Sequence, residues 1–154
     1  MSKLNLLIKL SALISKKYFS RQAAKPTGII GKIITNNIFR KGNMGLIEFV
    51  NSHYGPSPEG KVLDIGFGPG VFFELLNGRV EKLFGIDYSS DVVKLGQKKF
   101  KGPISRGEIE LVNASIESIP YEDNFFNAVF TCNTIYFWPD PLNNAKEVLR
   151  VIKP

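Results

Sequence analysis

The sequence has 154 residues, of which 44% are hydrophobic and 22% charged, a composition typical of one globular domain with its own core. The single cysteine excludes an internal disulfide framework, and the single histidine excludes a metal centre built from several histidines. The net charge of +6 is uneven, because residues 1–47 contain nine Lys and Arg and no acidic residue, which leaves eleven basic and fourteen acidic residues in the rest of the chain.

Residues 1–57 are predicted to form a basic helical N-terminal segment. Apolar residues recur at helical spacing over residues 3–24, with lysines between them. Lys9 interrupts the apolar run, which is therefore too short for a transmembrane helix or a signal peptide. Four interpretations of residues 3–24 stay open: a helix packed on the domain, a lid, an organelle transit peptide, and a helix on an anionic membrane surface. We expect a cytoplasmic protein, with the last interpretation making it membrane-peripheral.

Residues 58–154 are predicted to form an α/β domain, because short apolar runs alternate with helical patterns. The expected strands are residues 62–65, 82–87, 109–112 and 126–131. The expected helices are one that starts near Pro69 and includes residues 71–76, one that Ser89 or Ser90 caps and Gly102-Pro103 ends, and one over residues 141–151. This alternation predicts a parallel sheet with helices on both faces and right-handed crossovers.

A glycine-rich turn follows the first predicted strand. The strand holds Asp64 near its end, and Gly66, Gly68 and Gly70 follow at alternate positions. Glycines let the backbone turn tightly and approach a ligand closely, and the N–H groups of a following helix point at that ligand. The third glycine comes one position earlier than in the dinucleotide fingerprint, and Asp64 would repel a pyrophosphate. The turn therefore favours a cofactor with cationic groups.

The spacing Asp64-x-Gly66-x-Gly68-x-Gly70 resembles motif I of the class I S-adenosylmethionine-dependent methyltransferases, in particular the type 11-like domain. The resemblance extends over about residues 60 to 154. It implies a Rossmann-like doubly wound parallel sheet with strand order 3-2-1-4, and S-adenosylmethionine as cofactor. A complete domain of this family has three further strands, so the resemblance also implies that the chain is truncated at its C-terminus.

Further cofactor contacts are expected after the second strand. Asp87 ends that strand, where an acidic residue can accept hydrogen bonds from both ribose hydroxyls of an adenosine. Tyr88 is expected along the adenine face.

The resemblance implies three more cofactor residues. Aligned on the Ile-Pro-Tyr turn at residues 119–121, Ser115 falls where the family has an aspartate that meets the adenine amino group, and Ile116 falls where a residue packs on adenine. Serine there is a departure, which predicts modestly weaker binding. Asn133 leaves the fourth strand, close to the methionine part of the cofactor, and residues 134–138 are expected to line the opening to the acceptor.

The expected function is methyl transfer from S-adenosylmethionine to a small-molecule or lipid-like acceptor, without a metal. The chain contains neither Asn-Pro-Pro-Tyr nor Asp-Pro-Pro-Tyr, so the chemistry of the DNA amino-methyltransferases is not indicated and nucleic acid is not an expected partner. No residue is assigned as general base. Two alternatives remain: a non-catalytic, truncated S-adenosylmethionine-binding remnant, and a NAD-binding oxidoreductase domain.

Overall fold

The structure is a computed structural model. It describes residues 60–154 without a gap and, before them, residues 21–22, 25, 27–28, 44–46, 48–49 and 52. Most of residues 1–57, the segment predicted to be helical, lies outside the described residues, including all of residues 3–24 except 21 and 22. The division into residues 1–57 and 58–154 therefore stays a prediction.

Four parallel strands form one sheet. They are β1 (Lys61–Ile65), β2 (Lys82–Asp87), β3 (Ile109–Asn113) and β4 (Ala128–Thr131). Their order in the sheet is β3-β2-β1-β4, with Val62 opposite both Leu83 on β2 and Ala128 on β4. The predicted strand order 3-2-1-4 is confirmed. Strands β2 and β3 lie on one side of β1, and β4 lies on the other side. The direction in which the chain adds strands therefore reverses between β1 and β4, and α/β sheets of this kind bind their ligands at such a point.

Helices connect the strands. They are α1 (Val71–Leu76), α2 (Ser90–Lys99), α3 (Lys101–Ser105), a 3-10 helix (Ile135–Phe137) and α4 (Pro141–Val151). Two of them have side-chain N-caps, since Ser89 accepts a hydrogen bond from the N–H of Val92 and Asp140 accepts one from the N–H of Asn143. Pro141 occupies the first position of α4, where a missing N–H costs nothing.

The sheet has a hydrophobic core on each face. Side chains alternate along the strands, so Val62 and Leu83 join one cluster of buried residues while Leu63 and Phe84 join the other. Helices α1 and α2 pack in the first cluster, and α4 packs in the second through Val151. This is the doubly wound arrangement that the alternation of elements predicts.

The structure corrects three predicted boundaries. The fourth strand begins at Ala128 and not at Phe126, because the backbone of Phe126 bonds to Val151 and Lys153 at the end of α4. Gly102-Pro103 does not end a helix but lies inside α3, where Pro103 is in the first turn and needs no N–H partner. The first helix begins at Val71, after a left-handed Gly70, and not near Pro69. In the described part of the chain, no helix is long and apolar enough to cross a membrane.

Candidate cofactor site

A cavity of about 760 Å³ lies at the carboxyl ends of the strands. Its lining includes a residue at or just after the end of every strand, namely Ile65, Asp87, Ala114 and Thr131. Parallel strands bring their carboxyl ends to one edge of a sheet, so residues far apart in sequence meet here. Eight of the nine predicted cofactor residues line this cavity: Asp64, Gly66, Gly68, Asp87, Tyr88, Ser115, Ile116 and Asn133.

The glycine turn forms part of the cavity lining through Gly66 and Gly68. Gly66 and Gly68 have φ values of +70° and +51°, a region that residues with a side chain rarely adopt. The N–H of Gly66 donates to the carbonyl of Ile86 at 2.8 Å, which ties the turn to the end of β2. A Cβ added at Gly66 would lie 2.6 Å from Cγ2 of Thr134, so the loop after β4 also packs on the turn.

Gly70, the ninth predicted residue, lies behind the turn. It is buried, it is not part of the cavity lining, and a Cβ added to it would lie 2.5 Å from the Phe100 ring. Its φ of +68° turns the chain into α1. In this structure Gly70 therefore serves the packing of α1 on the core, and its contact with the cofactor stays a prediction.

Asp64 is a buried carboxylate that faces the cavity. Its side chain is only 6% exposed, and it receives no hydrogen bond from the residues that the structure describes. Burial raises the pKa of Asp64 to about 7, and the nearby charge of Asp87 adds to this rise. Burying a carboxylate that accepts no hydrogen bond costs free energy of folding. This position therefore favours a cationic or hydrogen-bond-donating ligand.

Asp87 joins the glycine turn to the start of α2. Its Oδ2 accepts the N–H of Gly68 at 3.2 Å, and its Oδ1 accepts the N–H of Ser89 at 2.8 Å. Burial raises the pKa of Asp87 to about 6, against the opposing effect of these two hydrogen bonds. Each carboxylate oxygen keeps a second acceptor site, so Asp87 can still accept from a pair of ligand hydroxyls.

One end of the cavity is lined by residues that follow β2 and β3 in the chain. Tyr88 is 59% exposed, and the ammonium of Lys25 lies 4.0 Å from its ring centroid, which is cation–π geometry. Ile116 is buried and contributes apolar surface to the cavity, and Ser115 donates from Oγ to the carboxylate of Glu117. The structure thus brings Tyr88, Ser115 and Ile116 to the same end of the site.

Hydrogen bonds order the loop after β4. Thr134 bonds to Thr131 through its hydroxyl and accepts from Nε1 of Trp138 at 3.1 Å. Asn133 has a φ of +56° and accepts from the hydroxyl of Tyr136 at 2.6 Å. Residues 133, 134 and 136–138 line the cavity. This is the stretch predicted near the acceptor, and its contact with an acceptor stays a prediction.

The lining also contains residues that were not predicted as site residues, among them Lys25, Glu117 and Phe130. Phe130 could have been predicted as a site residue, because it lies near the carboxyl end of β4 and ligands bind at the carboxyl ends of the strands. Glu117 comes two residues after Ser115, but an exposed glutamate in a loop gives no signal of its own. The approach of Lys25 to the cavity depends on the tertiary fold and cannot be derived from local sequence.

Cys132 lines the cavity but is a poor nucleophile. The side chain is half-buried, and burial together with the charge of Asp64 raises the pKa of its thiol. The thiol therefore stays protonated at neutral pH.

The described residues fit S-adenosylmethionine better than a dinucleotide. The cofactor carries a sulfonium and an ammonium and no phosphate, and the buried Asp64 carboxylate lacks a donor that such a group would supply. A pyrophosphate would instead meet the carboxylates of Asp64 and Asp87. Among the described lining residues only Lys25 is basic, and its ammonium lies on Tyr88.

Comparison with known proteins identifies the family. A methyltransferase domain model matches residues 63–154. An uncharacterised methyltransferase, YdaC of Bacillus subtilis, is 28% identical over 124 residues, which are 79% of this chain and 66% of that protein. A demethylmenaquinone methyltransferase of Bacillus mycoides is 31% identical over 100 residues, which are 63% of this chain and 42% of that protein.

A solved structure agrees with these relatives. The crystal structure of a SAM-dependent methyltransferase from Aquifex aeolicus superposes with a TM-score of 0.63 at 27% identity, over 70% of this chain and 58% of that one. The chain thus spans between 42% and 66% of the length of these relatives. The predicted fold and cofactor are confirmed, and the chain belongs to the class I S-adenosylmethionine-dependent methyltransferases.

Proposed function

We propose that this protein transfers a methyl group from S-adenosylmethionine to an apolar small-molecule acceptor. The observation that carries the cofactor half of the proposal is the buried Asp64 carboxylate, which faces the cavity without a hydrogen-bond donor among the described residues. Its first test is calorimetric binding of S-adenosylhomocysteine to the chain and to Asp64→Asn. We expect a loss of about tenfold or more in affinity, because a charge-assisted hydrogen bond is removed.

The chain's own residues would hold the cofactor along the ends of three strands. Asp64 binds a cationic group of the methionine part, Asp87 accepts from the ribose hydroxyls, and Ile116 packs on the base. When bound, S-adenosylmethionine supplies a methyl group on a sulfonium that is already activated for displacement. The remaining task of the protein is to hold an acceptor in line with that methyl group and to exclude water.

The acceptor half of the proposal is supported by one wall of the cavity, formed by the end of β4 and the loop after it. All charged residues of the described lining, Lys25, Asp64, Asp87 and Glu117, lie outside this wall. The wall consists of aromatic and other uncharged residues: Phe130, Thr131, Cys132, Asn133, Thr134, Tyr136, Phe137, Trp138 and Pro139. Such a surface favours an apolar acceptor over a charged one. The relative from Bacillus mycoides is named for demethylmenaquinone, which is an apolar molecule of this kind.

The acceptor is tested by methyl transfer from labelled S-adenosylmethionine to two acceptors, a naphthoquinol with an apolar side chain and a charged small amine. We expect transfer to the naphthoquinol, with a KM that Phe137→Ser raises by about tenfold, because the variant removes apolar contact area. Leu149→Ser is the matched control: Leu149 is also an exposed apolar residue, but it lies on α4 outside the cavity. Transfer to the charged amine alone would overturn the apolar acceptor.

We also propose a peripheral contact with anionic membranes through residues 3–24. Its support is the charge distribution, with nine Lys and Arg and no acidic residue in residues 1–47. Sedimentation with phosphatidylglycerol vesicles should carry the chain down at low salt, and phosphatidylcholine vesicles should not. Equal behaviour with the two kinds of vesicle would contradict this contact.

A further inference from the structure

We propose that Glu117 is the residue that recognises the adenine of the cofactor, by accepting a hydrogen bond from the exocyclic amino group of the base. Ser115 acts as a positioning residue that holds the Glu117 carboxylate at the cavity. This inference rests on the proposed binding of S-adenosylmethionine.

The order of the strands gives the direction in which the cofactor lies. Neighbouring strands β1, β2 and β3 end side by side, since Ile65 is paired with Ile86 and Asp87 with Asn113. Asp64 on β1 suits a cationic group, and Asp87 at the end of β2 suits a pair of hydroxyls. An extended ligand that satisfies both then continues over the end of β3. The base of an adenosine ligand therefore lies against the residues that follow β3.

The residues after β3 offer an apolar surface with a polar rim. Residues 114–117 all line the cavity, and Ile116 is the buried apolar member against which a flat ring can pack. The polar side chains of this stretch are those of Ser115 and Glu117. An ionised carboxylate only accepts hydrogen bonds, and the amino group of adenine only donates them, so the two groups are complementary.

Hydrogen bonds fix the Glu117 carboxylate and leave one oxygen available. Ser115 Oγ donates to Oε2 of Glu117 at 3.0 Å and accepts from the N–H of Glu117 at 3.3 Å. The hydroxyl proton of Ser115 is therefore not available to a ligand. Oε1 of Glu117 has no hydrogen-bond or ion-pair partner among the described residues. Glu117 thus offers a charged oxygen without a partner among the described residues, whereas Ser115 Oγ already takes part in two hydrogen bonds and offers only a neutral acceptor.

The test compares two ligands that differ at the 6-position and at the adjacent N1 of the purine. Calorimetry is carried out on the full chain with S-adenosylhomocysteine, which has an amino group at position 6 and an acceptor at N1, and with S-inosylhomocysteine, which has a carbonyl oxygen at position 6 and an N–H at N1. We expect the chain to prefer the adenosyl ligand by about tenfold or more, because a carboxylate repels the carbonyl. In Glu117→Gln the preference should fall to about threefold or less, because an amide can donate to the carbonyl as well as accept from the amino group.

Three further variants separate recognition from folding. Glu81→Gln removes an exposed carboxylate just before β2, at the opposite end of the sheet, and should keep the preference of the unmodified chain. Ser115→Ala should weaken the preference, and Ser115→Thr, which keeps a hydroxyl, should restore it. An unchanged preference in Glu117→Gln would overturn the role of Glu117 while leaving the proposed function intact. Failure of the unmodified chain to bind either ligand would overturn both.

Discussion

Thr134 packs on the backbone of Gly66, so closely that a Cβ added to the glycine would lie 2.6 Å from Cγ2 of the threonine. The two residues follow neighbouring strands, since β1 pairs with β4. Thr134 is held in place by Thr131 and Trp138. The contact joins the glycine turn, which we assign to the cofactor, to the uncharged wall that we assign to the acceptor.

Gly66→Ala should therefore impair both the fold and the site. The φ of +70° strains any residue with a side chain, and the new methyl group would displace Thr134. We expect the free energy of unfolding to fall by about 1–3 kcal/mol and the affinity for S-adenosylhomocysteine to fall by about tenfold or more. Urea unfolding and calorimetry measure the two effects.

Gly78→Ala is the matched control for this variant. Gly78 has a φ of +75°, but a Cβ there would meet no atom within 4 Å. It should lose about 1 kcal/mol of stability and keep its affinity for S-adenosylhomocysteine. Thr134→Ser, which removes Cγ2 and keeps the hydroxyl, should restore part of the affinity of Gly66→Ala. A loss of affinity in Gly78→Ala as large as that in Gly66→Ala would contradict the contact as the cause.

The stability of the ligand-free protein should increase as the pH falls from about 8 to 5. Burial raises the pKa of Asp64 to about 7 and that of Asp87 to about 6, whereas the ordinary pKa of both is 3.8. Between these values the folded protein binds protons that the unfolded chain has released, so a rising pH lowers the free energy of unfolding. Thermal unfolding across this range measures the slope, which Asp64→Asn should reduce.

Affinity for S-adenosylhomocysteine should follow the opposite trend and increase with pH up to the pKa of Asp64, about 7. The ammonium of the ligand binds the ionised form of Asp64, so binding must release the proton that this carboxyl holds. Calorimetry in buffers of different ionisation enthalpy measures that release. A pH-independent affinity would show that Asp64 does not contact the cationic part of the ligand.

Two helical glycines should respond to alanine with opposite signs. In Gly96→Ala the new Cβ would lie 2.8 Å from Leu111 and 2.9 Å from Phe67, both in the core, so we expect a loss of about 1–3 kcal/mol. In Gly45→Ala, within the helical residues 44–46, the new Cβ meets nothing within 4 Å, so the higher helix propensity should add about 0.5–1 kcal/mol. Chemical denaturation measures both, and equal signs would contradict this packing.

Arg150 should be needed to hold the loop between β3 and β4. Its guanidinium bonds to the carboxylates of Glu147 and Asp123 and to the carbonyls of Ile119 and Tyr121. We expect Arg150→Met to lower the free energy of unfolding by about 1–3 kcal/mol, because several hydrogen-bond partners lose their donor together. Lys146→Met on the same helix is the control, since Lys146 bonds only to Asn143 among the described residues. Similar losses in the two variants would contradict a special role for Arg150.

The fold could be predicted from the sequence where turn residues flank an apolar run. Strand β2 was predicted with both of its ends correct, and so was α4. The start of β4 was predicted two residues early, because Phe126 has the apolar character of a strand residue while its backbone bonds to the chain after α4. Backbone partners of this kind are set by tertiary structure.

The site was predictable to the extent that each residue is tied to a strand end. Asp64 and Asp87 both end up buried at the cavity, as their positions at strand ends imply. Gly70 shows the limit of this reasoning: the motif places it in the turn, but only the fold reveals that it faces the Phe100 ring. The bond between Ser115 and Glu117 likewise requires side-chain geometry that spacing alone does not contain.

The most direct test of the central claim is a calorimetric titration of the chain with S-adenosylhomocysteine and with NAD, repeated on Asp87→Asn. We expect saturable binding of S-adenosylhomocysteine at one site, no saturable binding of NAD, and an affinity for the adenosyl ligand that falls by about tenfold or more in the variant, because its ribose loses a charged acceptor. Binding of NAD without S-adenosylhomocysteine, or an unchanged affinity in Asp87→Asn, would contradict the assignment of this cavity to the cofactor.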